Sequence, residues 1–160
     1  MADRDDDVEA LSRALAGRSL ASAESLTGGM LSQRIARTEG SSDWYRGGLV
    51  AYQREIKFEL LDVTPGPVVT ERAAREMASG AAKLFDADAT VSVTGAAGPA
   101  PHDGAPPGTV VVGTSVDGEA TAFTLHFDGS PEQVCEQATE HAIAALHDAL
   151  RRASAPGTDR

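Results

Sequence analysis

The chain has 160 residues, of which 41% are hydrophobic and 24% charged, so its composition supports one globular domain with a real core and excludes disorder. The formal net charge of −10 argues against nucleic acids and anionic membranes as partners, because basic surfaces recognise both. A single cysteine excludes an internal disulfide and a multi-cysteine metal site. With an acidic start and no run of 18 apolar residues, the sequence predicts a cytoplasmic protein without signal peptide or membrane span.

The first half of the chain alternates predicted helices and strands. Apolar residues recur three or four positions apart in the helices and form short continuous runs in the strands. In chain order the elements are a helix over 5–16, a strand over 20–23, a helix over about 28–37 with Thr27 at its N-cap, a strand over 49–52, a helix over about 54–61, and a helix from a cap at Thr70 to about 85.

The second half is predicted to hold a strand, a hairpin and a long helix. These are a strand over 89–93, strands over 109–116 and 120–127 joined across Asp117-Gly118, and a helix from a capping box at Ser130 to about 152. Residues 99–107 hold too many Pro and Gly residues for regular structure, and the polar tail over 154–160 is expected to be disordered. The pattern predicts a single α/β domain, with a core over about 8–150 in three α/β/α layers around a mixed, mainly parallel sheet of about five strands.

The first segment that could carry chemistry is the strand-to-helix turn over 23–29, which reads Ala-Glu-Ser-Leu-Thr-Gly-Gly. Such a turn lifts one side chain, here Ser25, out of the sheet. The helix N–H groups of Thr27, Gly28 and Gly29 would point at a ligand and are candidates for an oxyanion hole. Spacing alone fits an ordinary capped helix start better, so both interpretations stay open.

The second segment contains Tyr52 at a strand end and Lys57 one turn into the next helix. A serine nucleophile needs a base, and the four histidines occupy loop or half-exposed structural positions. A partly desolvated Lys57 could activate Ser25, and the Tyr52 hydroxyl could relay the proton. A surface lysine beside a core tyrosine is the open alternative.

The third segment is a glycine loop with Thr94, Gly95 and Gly98, which follows a buried strand. Loops of this kind line ligand crevices in α/β sheets, although a tight structural turn is the default interpretation. His102 and Asp103 stand together without further ligands, so no metal site is predicted.

Taken in order, these segments resemble the CinA carboxy-terminal domain family, the PncC-type nicotinamide-nucleotide amidases. The family pattern reads Ala-Glu-Ser-Cys-Thr-Gly-Gly, then Gly-Gly-x-x-x-Tyr with Lys five residues later, Val-Ser-Glu, Thr-Gly-x-Ala-Gly-Pro and Pro-x-Gly-Thr-Val. In this chain the five motifs stand at 23–29, 47–57, 69–71, 94–99 and 106–110. The resemblance covers nearly the whole chain, and the combination is more specific than any one motif.

The resemblance implies metal-free and cofactor-free hydrolysis of nicotinamide mononucleotide to nicotinate mononucleotide and ammonia. It implies Ser25 as the nucleophile, Lys57 as the base and Tyr52 as an aid to proton transfer. The loop with Thr94, Gly95 and Gly98 would line the nucleotide pocket. It also implies a stand-alone domain that forms a homodimer or a larger homo-oligomer and acts in nicotinamide nucleotide salvage.

Several residues depart from the family pattern at or near the expected site. Leu26 replaces Cys, Arg54 replaces Asn, Ala100 and Ala105 replace Gly and Lys, and Ser130-Pro131 replaces Asp-Arg. The last two changes remove two candidate phosphate contacts, for which Arg46 or Arg54 could substitute. The alternatives are therefore an amidase for another small substrate, or a nucleotide-binding or regulatory domain with weak or no catalysis.

Overall fold

A five-stranded mixed sheet forms the centre of the computed structural model, which describes residues 10–155. The strands are β1 (Leu20–Glu24), β2 (Tyr45–Val50), β3 (Ala89–Gly95), β4 (Thr109–Val116) and β5 (Glu119–His126), in the spatial order β2-β1-β3-β4-β5. β1 pairs in parallel with β2 and β3, whereas β4 pairs antiparallel with β3 and β5. The predicted mixed sheet of five strands is confirmed. Two of its pairings are parallel and two antiparallel, so parallel pairing does not predominate as expected.

Helices cover both faces of the sheet. They are α1 (10–15 within the described part), α2 (Met30–Ala36), α3 (Arg54–Leu61), α4 (Glu71–Phe85) and α5 (Pro131–Ser154). One apolar core joins α1, α2 and α5 to the sheet, and a second joins α3 and α4 to the opposite face, which confirms the three predicted layers. Within residues 10–155, no helix is both long and apolar enough to cross a bilayer.

Most predicted elements coincide with observed ones, and the hairpin turns at Asp117-Gly118 as expected. The largest difference between the predicted and observed elements is in the second strand, since β2 begins at Tyr45 and not at residue 49. Its glycines gave little strand signal, yet a Cβ at Gly48 would lie 2.3 Å from Ser32 Oγ, so only glycine fits there. Residues 5–9 of the predicted first helix and 156–160 of the predicted tail lie outside the described part.

Small residues allow α4 to approach the sheet closely. The Thr90 and Ser92 hydroxyls of β3 donate hydrogen bonds of 2.7 Å to the carbonyls of Ala78 and Ala74. A Cβ at Gly113 would lie 2.3 Å from the Ala74 carbonyl oxygen. The abundance of Ala and Gly, together with only 4% aromatic residues, therefore reflects a helix-to-sheet contact that excludes large side chains.

The close contact between α3 and α4 can be tested at Gly80, where a Cβ would lie 2.0 Å from the Leu61 carbonyl oxygen. Gly80→Ala improves helix propensity but forces the two helices apart, so we expect a loss of about 1–3 kcal/mol in unfolding free energy. Urea denaturation measures this loss. The control is Ser79→Ala at the adjacent exposed helical position, which should be neutral or slightly stabilising. Equal stability of the two variants would contradict the contact.

Candidate active site

Ser25 follows β1, the strand that lies between β2 and β3, at the carboxyl end of the parallel part of the sheet. Its N–H donates to the Val93 carbonyl at 3.0 Å, and its own carbonyl accepts the N–H of Gly28 at 3.0 Å. The next helix, α2, packs on one face of the sheet, whereas α3 and α4 pack on the other. Ligands in open α/β sheets bind at such a switch point, beyond the carboxyl ends of the strands.

Lys57 lies in the first turn of α3 and extends its side chain to Ser25. Its Nζ is 2.9 Å from Ser25 Oγ, 2.7 Å from the Ala51 carbonyl oxygen and 3.1 Å from that of Tyr52. The Lys57 side chain is fully buried, and Ser25 is 7% exposed. The structure thus brings together the serine and lysine that the sequence singled out, although they are 32 residues apart.

Burial lowers the pKa of Lys57 to about 8, because the charged ammonium loses its hydration. The Asp103 carboxylate raises this pKa, and the Arg54 guanidinium lowers it. In the neutral amine, the two N–H bonds can donate to the carbonyls of Ala51 and Tyr52. The nitrogen lone pair then faces the Ser25 hydroxyl, which is the orientation that a general base requires.

Glu24 anchors the turn that carries Ser25, and no role for it was expected from the sequence. Its buried carboxylate accepts hydrogen bonds from the Thr27 hydroxyl at 2.6 Å and from the N–H groups of Gly29, Leu31 and Ser32 at 3.2, 2.9 and 2.9 Å. The expected N-cap role of Thr27 is therefore wrong, since its hydroxyl donates to Glu24. The capping acceptor is the carboxylate, and α2 begins after Gly29 without a side-chain cap of its own. An acidic residue at the end of an apolar strand is the sequence signal that could have indicated this anchor.

Two of the three expected oxyanion donors need correction, whereas Thr27 stays a candidate. The Gly28 N–H donates to Ser25 and the Gly29 N–H to Glu24, so both are used within the turn. The N–H groups of Leu26 and Thr27 make no hydrogen bond to any residue in the range 10–155. They are the candidate donors for an anion that forms next to Ser25 Oγ.

Tyr52 contacts the site through its backbone. Its carbonyl accepts from Lys57 Nζ, while its side chain is 66% exposed. The role of its hydroxyl in proton transfer stays a prediction.

The glycine loop after β3 packs against the turn over 23–29 that carries Ser25. The Thr94 hydroxyl is buried and donates to the Val68 carbonyl at 2.9 Å, so it serves the structure. A Cβ at Gly95 would lie 2.6 Å from the Thr109 carbonyl oxygen and 3.2 Å from Leu26 Cδ1. Gly98 has a φ of +91°, which favours glycine and turns the chain into the next loop. These glycines allow the backbone to pass close to the turn that carries Ser25.

Arg46 does not reach the site. It lies in the first half of β2, whereas the carboxyl end of that strand, at Val50, pairs with Glu24 beside Ser25. Its guanidinium donates to the Phe85 carbonyl at the end of α4. The expectation that Arg46 binds substrate is therefore wrong, because the strand register places it at the opposite end of the sheet.

Asp103 is a second charged residue near the site that the sequence analysis did not connect with Ser25. It forms an ion pair with Arg54 at the start of α3, and its side chain is only 8% exposed. Between residues 10 and 155, no group of three or more His, Cys, Asp or Glu side chains could hold a metal ion.

The fold and the site define a class of protein: an α/β/α domain with a buried serine–lysine pair at the carboxyl end of its central parallel strand. The CinA C-terminal domain family matches residues 6–150, and the chain belongs to this family. CinA-like proteins from Mycobacterium marinum and Mycobacterium avium are 40% and 39% identical over 147 and 151 residues, in each case 88% of this chain. The chain spans about a third (35%) of the length of these curated relatives.

Solved structures show the same fold. A CinA superfamily protein from Klebsiella pneumoniae superposes with a TM-score of 0.88 at 31% identity, covering 93% of this chain and 98% of that one. The competence-damaged protein (CinA) superfamily protein from Escherichia coli gives 0.86 at 33% identity, with 89% and 88% covered. The resemblance seen in the sequence motifs is confirmed at the level of family and fold.

The anchoring role of Glu24 predicts that Glu24→Gln is costly although it keeps the size of the side chain. The amide nitrogen cannot accept a hydrogen bond, so donors now on one carboxylate oxygen lose their buried acceptor. We expect a loss of about 2–4 kcal/mol in unfolding free energy, measured by urea denaturation. Glu39→Gln, at an exposed position, is the matched control and should change stability little. A loss at Glu24 as small as the control's would show that the carboxylate does not hold the turn.

Proposed function

We propose that this chain is an amidohydrolase that converts nicotinamide mononucleotide to nicotinate mononucleotide and ammonia. The observation that carries the proposal is the 2.9 Å contact between Ser25 Oγ and Lys57 Nζ, made by two buried groups at the carboxyl end of β1. A serine next to a lysine that is neutral in part near pH 8 is suited to acyl transfer.

The proposed reaction has two halves. Ser25 Oγ attacks the carboxamide carbon while its proton passes to Lys57 Nζ, and the resulting oxyanion accepts hydrogen bonds from the Leu26 and Thr27 N–H groups. The C–N bond then breaks, the leaving nitrogen takes the proton from Lys57, and ammonia departs. Water attacks the acyl-enzyme, gives a proton to Lys57 and releases the carboxylic acid, after which the proton returns to Ser25.

The choice of substrate rests on the family motifs rather than on the reactive pair alone. The segments at 23–29 and 47–57 carry Ser25 and Lys57, and Gly95 of the segment at 94–99 lies next to Leu26. Apart from Leu26 and Arg54, the three segments keep the pattern that resembles the nicotinamide-nucleotide amidases. The relatives are described as CinA-like and competence-damaged proteins, and these descriptions state no substrate. The substrate is therefore the part of the proposal that an assay must decide first.

Variants of the two reacting residues test the proposed activity. Ser25→Ala removes the nucleophile, and Lys57→Met keeps an unbranched buried side chain that cannot accept a proton. We expect each to lower kcat for formation of nicotinate mononucleotide by at least about 10³-fold. Chromatography measures the product, with EDTA present and at both low and molar salt, because the acidic composition is typical of proteins from a salt-rich cytoplasm. The control is Lys83→Met, which changes the chain's other lysine at an exposed position.

The binding of substrate separates the proposal from its alternatives. If Ser25→Ala still binds the mononucleotide while turnover is lost, the serine acts in catalysis. A folded wild type that binds the mononucleotide without turnover supports a regulatory binding domain instead. A folded wild type that neither binds nor hydrolyses it shows that the substrate is a different small molecule.

The lowered pKa of Lys57 predicts the pH dependence of the reaction. The base must be neutral, so kcat/KM should rise with pH, with a midpoint near the Lys57 pKa of about 8, and then level off. Activity at pH 7 should be about one tenth of the plateau. Initial rates between pH 6 and 10 at low substrate concentration measure the profile. A profile that is flat across this range would contradict a lysine base.

A further inference from the structure

The proline-rich segment 99–107 contains an ordered tight turn. His102 and Ala105 form an isolated antiparallel bridge, with N–H to carbonyl distances of 3.1 and 2.9 Å in the two directions. Between them, Asp103 and Gly104 have φ values of +48° and +78°, as in the two-residue turns that favour Asp-Gly. The expectation of an irregular loop missed this turn, and the turn determines where the Asp103 side chain points.

Asp103 links three separate segments of the chain. One carboxylate oxygen pairs with Nη2 of Arg54, the first residue of α3. The other accepts the N–H of Val68, just before α4, at 3.1 Å. The Asp103 side chain is 8% exposed and that of Arg54 is 44% exposed, so the carboxylate is buried while the guanidinium stays partly in water. The two contacts of the carboxylate fix the loop in place.

The ion pair lies at the start of the helix that carries the proposed base. Arg54 and Lys57 are three residues apart on α3, which places them on the same side of the helix. After burial, the Asp103 carboxylate and the Arg54 guanidinium have the largest effects on the Lys57 ammonium, followed by Glu55. Two other titratable side chains belong to the same surroundings: Glu24, beside Ser25, and His102, whose Nε2 is 4.0 Å from the Asp103 carboxylate.

We propose that Asp103 is a positioning residue for the Ser25–Lys57 pair. Its carboxylate fastens the 99–107 loop to the first turn of α3, and together with Arg54 it sets the charge balance around the Lys57 amine. The proposal rests on the proposed function only in giving Lys57 the role of base. It assigns to Arg54 and Asp103 together the balance of charge around the Lys57 amine, to which the two residues contribute with opposite sign.

Opposite charges predict opposite shifts in the protonation of Lys57. Asp103→Asn keeps an oxygen that can accept from Val68 but removes the negative charge, so the Lys57 titration midpoint should move to lower pH. Arg54→Met removes the positive charge and should move it to higher pH. A purely structural role would not give shifts of opposite sign.

The titration can be followed without any substrate, because the chain has only two lysines, Lys57 and Lys83. Lysine labelled with ¹⁵N at the side chain gives two NMR signals, and Lys83→Arg assigns them. The matched control is Asp62→Asn, which removes the carboxylate paired with the exposed Lys83 and should leave the Lys57 midpoint unchanged. Repeating the titration in a His102→Gln background removes the neighbouring imidazole as a second source of charge.

Rate measurements at pH 9.5, where Lys57 is largely neutral, separate the effect of Asp103 on the position of the Ser25–Lys57 pair from its effect on the protonation of Lys57. Asp103→Ala loses both the ion pair and the acceptor for Val68, and we expect about a tenfold lower kcat/KM there. Asp103→Asn retains the acceptor and should lose less. An unchanged Lys57 midpoint in folded Asp103→Asn, or shifts of the same sign in Asp103→Asn and Arg54→Met, would overturn the proposal. The NMR result stands even if the protein does not hydrolyse nicotinamide mononucleotide, so the two proposals can fail separately.

Discussion

The burial of the Lys57 amine is the constraint on which the arrangement of this site depends. A buried lysine is unfavourable unless each N–H finds an acceptor, and here the carbonyls of Ala51 and Tyr52 supply two of them. Those carbonyls are available because β2 has just ended and α3 has not yet begun. The break between strand and helix thus orients the amine: its remaining position, which is an N–H in the ammonium and the lone pair in the neutral amine, faces Ser25.

The end of β1 meets two demands with two adjacent residues. Side chains alternate along a strand, so Glu24 faces α2 while Ser25 faces Lys57 on α3. The Glu24 carboxylate accepts the exposed N–H groups of α2, and this holds the turn rigid from one side. Ser25 can then stand at a fixed distance from Lys57, which approaches from the other side. In the proposed reaction, a serine and a lysine held in this way need no reorganisation before proton transfer.

The sequence predicted the order of elements, the hairpin, the last helix cap and the Ser25–Lys57 pair. Those features are local or are written into motifs. The predicted N-cap of α2 was wrong because the Thr27 hydroxyl donates to Glu24, and only a folded turn shows that the carboxylate accepts the helix N–H groups. Arg46 was misplaced because β2 starts earlier than its glycines suggest, which moves that residue to the far end of the strand. A pattern along the sequence does not show how β2 is aligned with its neighbouring strand, nor which of several donors share the Glu24 carboxylate as their acceptor.

The same limit applies to Arg54, which replaces the family's Asn one turn from Lys57. Considered alone, a cation one turn from Lys57 should only make protonation harder. In the folded chain its charge is paired with Asp103, which comes from a loop 49 residues away and whose own effect on the Lys57 pKa has the opposite sign. Two residues that look unrelated in the sequence therefore form one neutral unit beside the amine. The effect of a substitution near the buried Lys57 therefore depends on the net charge of the ion pair that the new residue forms, and not only on the charge of that residue.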